Sequence, residues 1–508
     1  MPRSMTESLE AYFKTFRDHV IGSDQYFDGP YGRKKIIYAD WTASGRLYKP
    51  IEDILSQEIA PFVANTHTET TLTGCSMTLA YKRAKTIIKE HVGATSKDIL
   101  ISSNSGMTGV VNKLQRILGL KLHERYRDQI QMPQEKRPVI FISHMEHHSN
   151  QTSWLETLAD VEIISPDSDG LVDLSDLRKM LQKYNNRELK IAAITSCSNV
   201  TGVMTPYYDI AEIMHEHEGY CFVDFACSAP YIDVNMHPDR PKRYLDAIYF
   251  SPHKFLGGPG SSGILIFNSV LYKNKVPDNP GGGTVDWTNP WGEHKYLEEI
   301  EAREDGGTPA FLQTIKVALC MQLKDEMQVE KMLQREQELM AQLWEGLDSI
   351  PGLHFLANNQ RSRLGVLSFY VEGIHYNLFV KLLNDRFGIQ VRGGCSCAGT
   401  YGHYLLNVSP EISTQITDRI SKGDLSVKPG WVRMSIHPIM TNEEIEVIIN
   451  AIAAVISNHE EWSQDYKYDS LTNEYHHVDG SVPEIKLVDR WFSRGLHSRK
   501  TRYEDILR

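Results

Sequence analysis

Six short runs of β-branched and aromatic residues constrain this chain more than any other feature. They are "DILISS" (98–103), "PVIFIS" (138–143), "KIAAIT" (190–195), "CFVDFA" (221–226), "AIYFS" (247–251) and "GILIFN" (263–268). Most are separated by stretches with helical spacing. Runs that are apolar on both faces and alternate with helices build a mostly parallel sheet covered on both sides. Ligands of such α/β sheets sit at the carboxyl ends of the strands. The pattern predicts a large α/β domain over 31–307, preceded by an N-terminal helical segment over 1–30. Near residue 308 the rhythm changes. A long helical region leads to sparser strands ("VLSFYV", "IQVRG", "WVRMSI") and a helix from about Asn442, which predicts a smaller α+β domain over 308–460. Residues 461–508 are polar and read as an irregular tail.

A chain of 508 residues is long enough for two or more cores. Its net charge of -11 argues against nucleic-acid binding through a general basic surface. No apolar run approaches the length that spans a bilayer. The opening "MPRSMTESLEAYFKTFRDHVIG" reads as an amphipathic helix rather than a signal peptide. Seven cysteines, odd in number and mostly inside apolar segments, fit reduced thiols in a cytoplasmic protein without nucleic-acid or membrane partners.

The chemistry-bearing residues follow the strand runs. After "ILISS", Ser105, Gly106, Met107 and Thr108 open a helix whose N-terminus is either a phosphate cradle or an ordinary cap. After "VIFIS" come His147 and His148, without Cys or acidic partners at zinc spacing. A flat imidazole also suits stacking on an aromatic ring. Asn199 follows "KIAAITS", and its amide suits a phenolic oxygen. Asp224 lies inside an apolar strand, where a carboxylate must find a partner or become neutral. Last, "FSPHKFLGGPGSSG" (250–263) places Ser251, His253 and Lys254 at a strand end. A lysine is usually a solvated surface charge; when burial lowers its pKa it traps carbonyls instead. Together these supply an amine for an aldehyde, an acid for a ring nitrogen, a donor for a ring oxygen and two phosphate cradles. Pyridoxal 5'-phosphate requires that set, and no metal is expected.

Further stretches complete a pattern: "YADWTASG" (38–45), "ANTHTETTLTG", "SNVTGV", "VDFACSA", "GGTP", "VRGGCSCAG" and "WVRMSIHPIMTNEEI". With them the chain resembles the class V aminotransferase family of fold-type I pyridoxal-phosphate enzymes, and within it cysteine desulfurases and selenocysteine lyases. The resemblance implies that Lys254 holds the cofactor covalently and moves the substrate's α-proton. It implies that Asp224 pairs with the ring nitrogen, that His147 stacks on the ring beside the reacting centre, and that Asn199 faces the phenolic oxygen. Gly106, Met107, Thr108, Ser251 and His253 would bind the phosphate. Thr308 would reach the phosphate of the neighbouring subunit in a homodimer. Where most desulfurases have Gln, this chain has Cys227. An insertion over 405–430 suits a lid or a partner surface, and the tail lies outside the resemblance.

"RGGCSCAG" (392–399) bears on the reaction. Cys397 lies at the desulfurase offset from Arg392, and the two-cysteine form is also similar to that of molybdenum-cofactor sulfurases. A guanidinium beside a glycine-rich segment suits a reactive thiol; a small buried structural cysteine is the alternative. Cys395 either resolves Cys397 as a disulfide or is a bystander. Arg433, with Arg392, suits a substrate α-carboxylate through its bidentate fork. The reading is an enzyme that removes sulfur from L-cysteine through a persulfide on Cys397, releasing alanine and passing sulfur to an acceptor protein. An aminotransferase, epimerase or C–S lyase for another amino acid is the rival, and a non-catalytic binding protein of the same fold is a further one.

Overall fold

A computed structural model describes residues 8–493 apart from 67, 128, 131 and 481. The end of the tail, 494–508, lies outside the described residues.

Each of the six apolar runs forms a strand of one sheet. They are β1 (Asp98–Ser103), β2 (Val139–Ser143), β4 (Lys190–Thr195), β5 (Tyr220–Asp224), β6 (Ala247–Phe250) and β7 (Gly263–Asn268), with β3 (Asp160–Ile164) added at one edge. The order is β1-β7-β6-β5-β4-β2-β3. Only β7 runs antiparallel to its neighbours, between β1 and β6. β3 is only half-buried, as an edge strand is, and its "DVEII" lacks the unbroken apolar run that marks the others.

Alternating side chains feed two separate cores, one per face. From β2, Phe141 joins one core while Ile140 and Ile142 join the other. From β6, Ile248 and Phe250 point to the first, and Ala247 and Tyr249 to the second. Burying each large apolar side chain contributes about 1.5–3 kcal/mol. That doubled burial fixes the register and brings the ends of β1, β2, β4, β5 and β6 to one edge.

A second, four-stranded antiparallel sheet contains β8 (Leu353–Phe355), β9 (Val366–Val371), β10 (Arg392–Gly394) and β11 (Trp431–Ser435), in the order β8-β9-β11-β10. Helices Val329–Leu347 and Asn442–Trp462 pack against each other beside it, the second opened by a Thr441–Glu444 capping box. The "YADWTASG" segment ties the two sheets together. Ser435 N–H donates to Ala39 O at 2.8 Å, and Gly45 N–H donates to His253 O at 2.9 Å. A Cβ on Gly45 would stand 1.9 Å from Phe255 O, so only glycine allows this strap to lie against the Lys254 turn.

The segment after 461 is more ordered than its polarity suggests. A hairpin pairs Tyr466–Asp469 with Glu474–His477. Its Tyr466 is buried and donates from its hydroxyl to Asp385 at 2.9 Å, and Asn473 donates to the Tyr376 hydroxyl at 2.7 Å. Tyrosines bury a ring and keep a polar handle, so this hairpin is anchored without an apolar run. The insertion holds a helix, Pro410–Ser421, capped by Ser409 and mostly exposed. No helix among the described residues is long and apolar enough to cross a membrane.

Candidate active site

A cavity of about 420 Å³ opens at the carboxyl edge of the large sheet and is roofed by the second sheet. Ser105, Gly106, Met107 and Thr108 after β1, His147 after β2, Asn199 after β4, Asp224 at the end of β5, and Ser251, His253 and Lys254 after β6 all line it. From the second sheet come Arg392 and Arg433, and from the loop after β10 comes Cys397. Residues more than three hundred positions apart thus share one space. Thr308 is exposed and lies outside the cavity.

Lys254 stands on a short 3₁₀ turn, Pro252–Lys254, and is largely buried. Burial pushes its amine pKa down; the Cys227 and Asp224 charges pull it back, and Arg433 and Arg392 lower it further. Asp224 is 3% exposed and accepts the Ala226 N–H at 2.8 Å. Burial raises its carboxyl to about 6, against the smaller opposing effects of that hydrogen bond and Lys254. A cation placed beside it in the cavity would relieve that penalty.

His147 caps the helix His148–Leu155, its Nδ1 accepting the Ser149 N–H at 3.1 Å. Burial, then the charges of Lys254, His148 and Arg433, push its pKa down to about 3. It is a neutral, flat ring near neutral pH, with its proton on Nε2.

At the start of helix Gly106–Ile117, Ser105 makes no side-chain capping bond. Met107 N–H instead donates to Ser251 Oγ at 2.9 Å, and the Thr108 and Ser149 hydroxyls meet at 2.7 Å. Gly106 has φ +59°, a left-handed turn that brings the helix N-terminus up to the cavity. His253 completes this end; burial and Lys254 push its pKa down to about 4. Hydroxyls, N–H groups and the positive helix end there suit an anion.

The arginines meet a partner that the sequence reading missed. Asp40 accepts from Arg433 at 2.8 Å through Oδ1 and from Arg392 at 3.0 Å through Oδ2. Arg433 is 3% exposed and also donates to Asn199 O at 3.1 Å. Its Nε is buried without a partner. The signal was available: Asp40 interrupts the apolar "IIYADW", and a carboxylate there needs a cation.

Cys397 is exposed, on a loop that climbs through left-handed backbone at Gly394 (φ +107°), Ser396 (+52°) and Cys397 itself (+57°). Such conformations cost non-glycine residues about 1–3 kcal/mol each. Three hydrogen bonds from the large sheet's side offset this. Asn199 Nδ2 donates to Ser396 O at 2.8 Å, His148 N–H donates to Cys397 O at 2.8 Å, and Gly399 N–H donates to His148 Nε2 at 3.0 Å. Asn199, read from the sequence as a ring-oxygen donor, thus spends one amide N–H on the cysteine loop, while its buried Oδ1 has no partner. Cys227 lines the cavity and is 5% exposed.

Solved structures share this fold. The chain superposes on the apo structure of a cysteine desulfurase from Thermococcus onnurineus NA1 with a TM-score of 0.70 at 22% identity, over 88% of this chain and 98% of that one. It also superposes on the cysteine desulfurase CsdA of Escherichia coli with a TM-score of 0.68 at 20% identity, over the same shares. The fold is that of the fold-type I pyridoxal-phosphate enzymes. The profile of aminotransferase class V matches residues 37–448, and the chain belongs to that family. Two similar relatives are probable cysteine desulfurases. That of Halalkalibacterium halodurans is 26% identical over 72% of this chain and 84% of its own length. That of Pyrococcus abyssi is 24% identical over 84% of this chain and 95% of its own length. Membership of the family implies an enzyme that uses pyridoxal 5'-phosphate.

Proposed function

We propose that this chain binds pyridoxal 5'-phosphate in the cavity and acts as a cysteine desulfurase. The carrying observation is that an exposed thiol on a strained loop, Cys397, shares one cavity with a buried amine of lowered pKa, Lys254.

The cavity's own groups fit the cofactor. Lys254 suits its aldehyde, and the buried Asp224 carboxyl suits a protonated ring nitrogen. His147 offers a flat neutral face, and the cradle of Met107, Thr108, Ser251 and His253 suits the phosphate. When bound, pyridoxal 5'-phosphate supplies an electron sink for the substrate's Cα. Cys227 stands where the resemblance to desulfurases implies a glutamine amide.

The remaining chemistry belongs to the chain. Arg433 holds the substrate α-carboxylate, which displaces Asp40 from the guanidinium. Lys254, its amine pKa lowered by burial, takes the α-proton and returns one to carbon. The Cys397 thiolate attacks the sulfur of L-cysteine. An S–S bond forms as the Cβ–S bond breaks, and Cβ takes up a proton. Cys397 thiol and L-cysteine thereby become Cys397 persulfide and L-alanine, with atoms and charge balanced. Because the loop is exposed, the persulfide can meet an acceptor protein.

The test is sulfide and alanine release from purified protein across a panel of amino acids. Equal release of both from L-cysteine, lost in Cys397→Ser while L-cysteine still perturbs the cofactor spectrum, supports the reading. Turnover of another amino acid with Cys397→Ser unimpaired moves the assignment to an aminotransferase, epimerase or lyase.

A further inference from the structure

Two thiols that the sulfur chemistry does not use meet in the cavity floor. Cys197 follows β4, and Cys227 lies on the turn after β5; both line the cavity. Their sulfurs converge on one backbone atom. Cys197 Sγ stands 3.6 Å from Ser198 O and Cys227 Sγ stands 3.7 Å from it. Both thiols donate to that carbonyl oxygen, and Cys227 is the more open to the cavity, 5% exposed against 0% for Cys197. The neighbouring Cys197 thiol first, and then Lys254 and Arg433, hold the Cys227 thiol below its ordinary range despite burial. Burial and the neighbouring Cys227 push Cys197 the other way.

The chain's other buried thiols make the contrast. Cys221 and Cys320 are buried and do not line the cavity. Burial raises both, Cys320 to about 12. A thiol of lowered pKa that opens to a cavity, beside a second thiol buried behind it, is the arrangement of an attacking and a resolving cysteine.

We infer that Cys227 and Cys197 form a hydroperoxide-oxidisable pair built into the cavity floor. The Cys227 thiolate attacks the hydroperoxide; an S–O bond forms as the O–O bond breaks, and the departing oxygen takes up a proton. The Cys197 sulfur then attacks the sulfenic Cys227. An S–S bond forms, and the hydroxyl leaves with the Cys197 proton as water. Two thiols and one hydroperoxide give one disulfide, one alcohol (water, for hydrogen peroxide) and one water. None of these steps depends on the desulfurase assignment.

The test treats the full chain with stoichiometric hydrogen peroxide near neutral pH. Remaining thiols are alkylated in denaturant, the protein is digested without reductant, and the peptides are analysed by mass spectrometry. The expected product joins Cys197 to Cys227, forming at least about tenfold faster than oxidation of Cys221 or Cys320, which are buried away from the cavity. Cys197→Ser should leave a sulfenic acid on Cys227 that a cyclic 1,3-diketone traps, and Cys227→Ser should abolish both products. Absence of the cross-link at doses that fully oxidise the exposed Cys397 overturns the inference. So does a cross-link from Cys227 to Cys397 in place of Cys197.

Discussion

Lys254 sits on a turn fixed from several sides, whereas Cys397 hangs on a loop held at a few points. The lysine turn follows a central strand, and Gly45 N–H bonds to His253 O while Gly257 N–H bonds to Arg46 O at 2.7 Å. Phe255, next in the chain, is 2% exposed. The cysteine loop is exposed, left-handed and tied mainly through Asn199 and His148. A group that must hold a cofactor at one position gains from the first construction. A group that must collect an atom inside and deliver it outside gains from the second, because a strained loop with few contacts opens at low cost. In the proposed function, the sheet edge binds and the loop transfers.

The largest effect should come from breaking the fixed side. Lys254→Ala should abolish borohydride-stable attachment of the cofactor and lower turnover by roughly 10²–10⁴-fold, the range for a lost acid–base group. The melting temperature of its cofactor-free form should not fall, because a desolvated amine is removed rather than a packed side chain. Intact-protein mass spectrometry after borohydride and a thermal melt check both.

Arg433→Ala should act earlier in the cycle. Loss of a charged hydrogen-bonded contact to the substrate carboxylate is worth about 1.5–3 kcal/mol, or roughly 10–150-fold, read mainly in KM. Arg433→Lys should restore only part of it, since an ammonium lacks the fork. An unchanged KM in Arg433→Ala would remove the arginine from the substrate site.

Asp224 gives a test with a sign. Its carboxyl is raised from 3.8 to about 6, so the folded, cofactor-free chain binds more protons there than the unfolded chain between those values. Its contribution to stability is therefore full below about pH 4 and is lost as pH rises through 6. Asp224→Asn removes that loss. The cofactor-free variant should be more stable than wild type at pH 7 by up to about 3 kcal/mol, with the gap closing below about pH 4. Turnover should nevertheless drop, because the ring nitrogen loses its acid. Chemical denaturation at several pH values measures the first, and steady-state kinetics the second.

The smallest effect belongs to Cys395. Cys395→Ser should keep sulfide release within about twofold, roughly 0.4 kcal/mol. A large loss would make Cys395 part of the transfer and redraw the loop side of the comparison.

Much of the fixed side was legible in the sequence, for a physical reason. A strand buried on both faces must be an unbroken apolar run, so the residue that ends it is conspicuous; Asp224 and the Ser251–Lys254 turn were found that way. The antiparallel course of β7 was not legible, because an apolar run carries no direction. Asp40 was missed because its partners, Arg392 and Arg433, are over 350 positions away and only the second sheet brings them together. The bond from Asn199 to the cysteine loop was hidden likewise, since its acceptor is a backbone oxygen, Ser396 O, and no side chain in the sequence marks it. The tail hairpin was missed because tyrosine hydroxyls and Asp385 hold it, and that reads as polarity.

The transfer half of the account rests on one atom's destination. Purified protein loaded with pyridoxal 5'-phosphate is given a short pulse of L-cysteine, quenched with an alkylating reagent and digested without reductant. The account predicts the mass of one added sulfur on the peptide holding Cys395 and Cys397, with fragmentation placing it on Cys397, and no added sulfur in Cys397→Ser. Alanine formed at the wild-type rate with no sulfur on Cys397, or sulfur found only on Cys395 or Cys227, would contradict it.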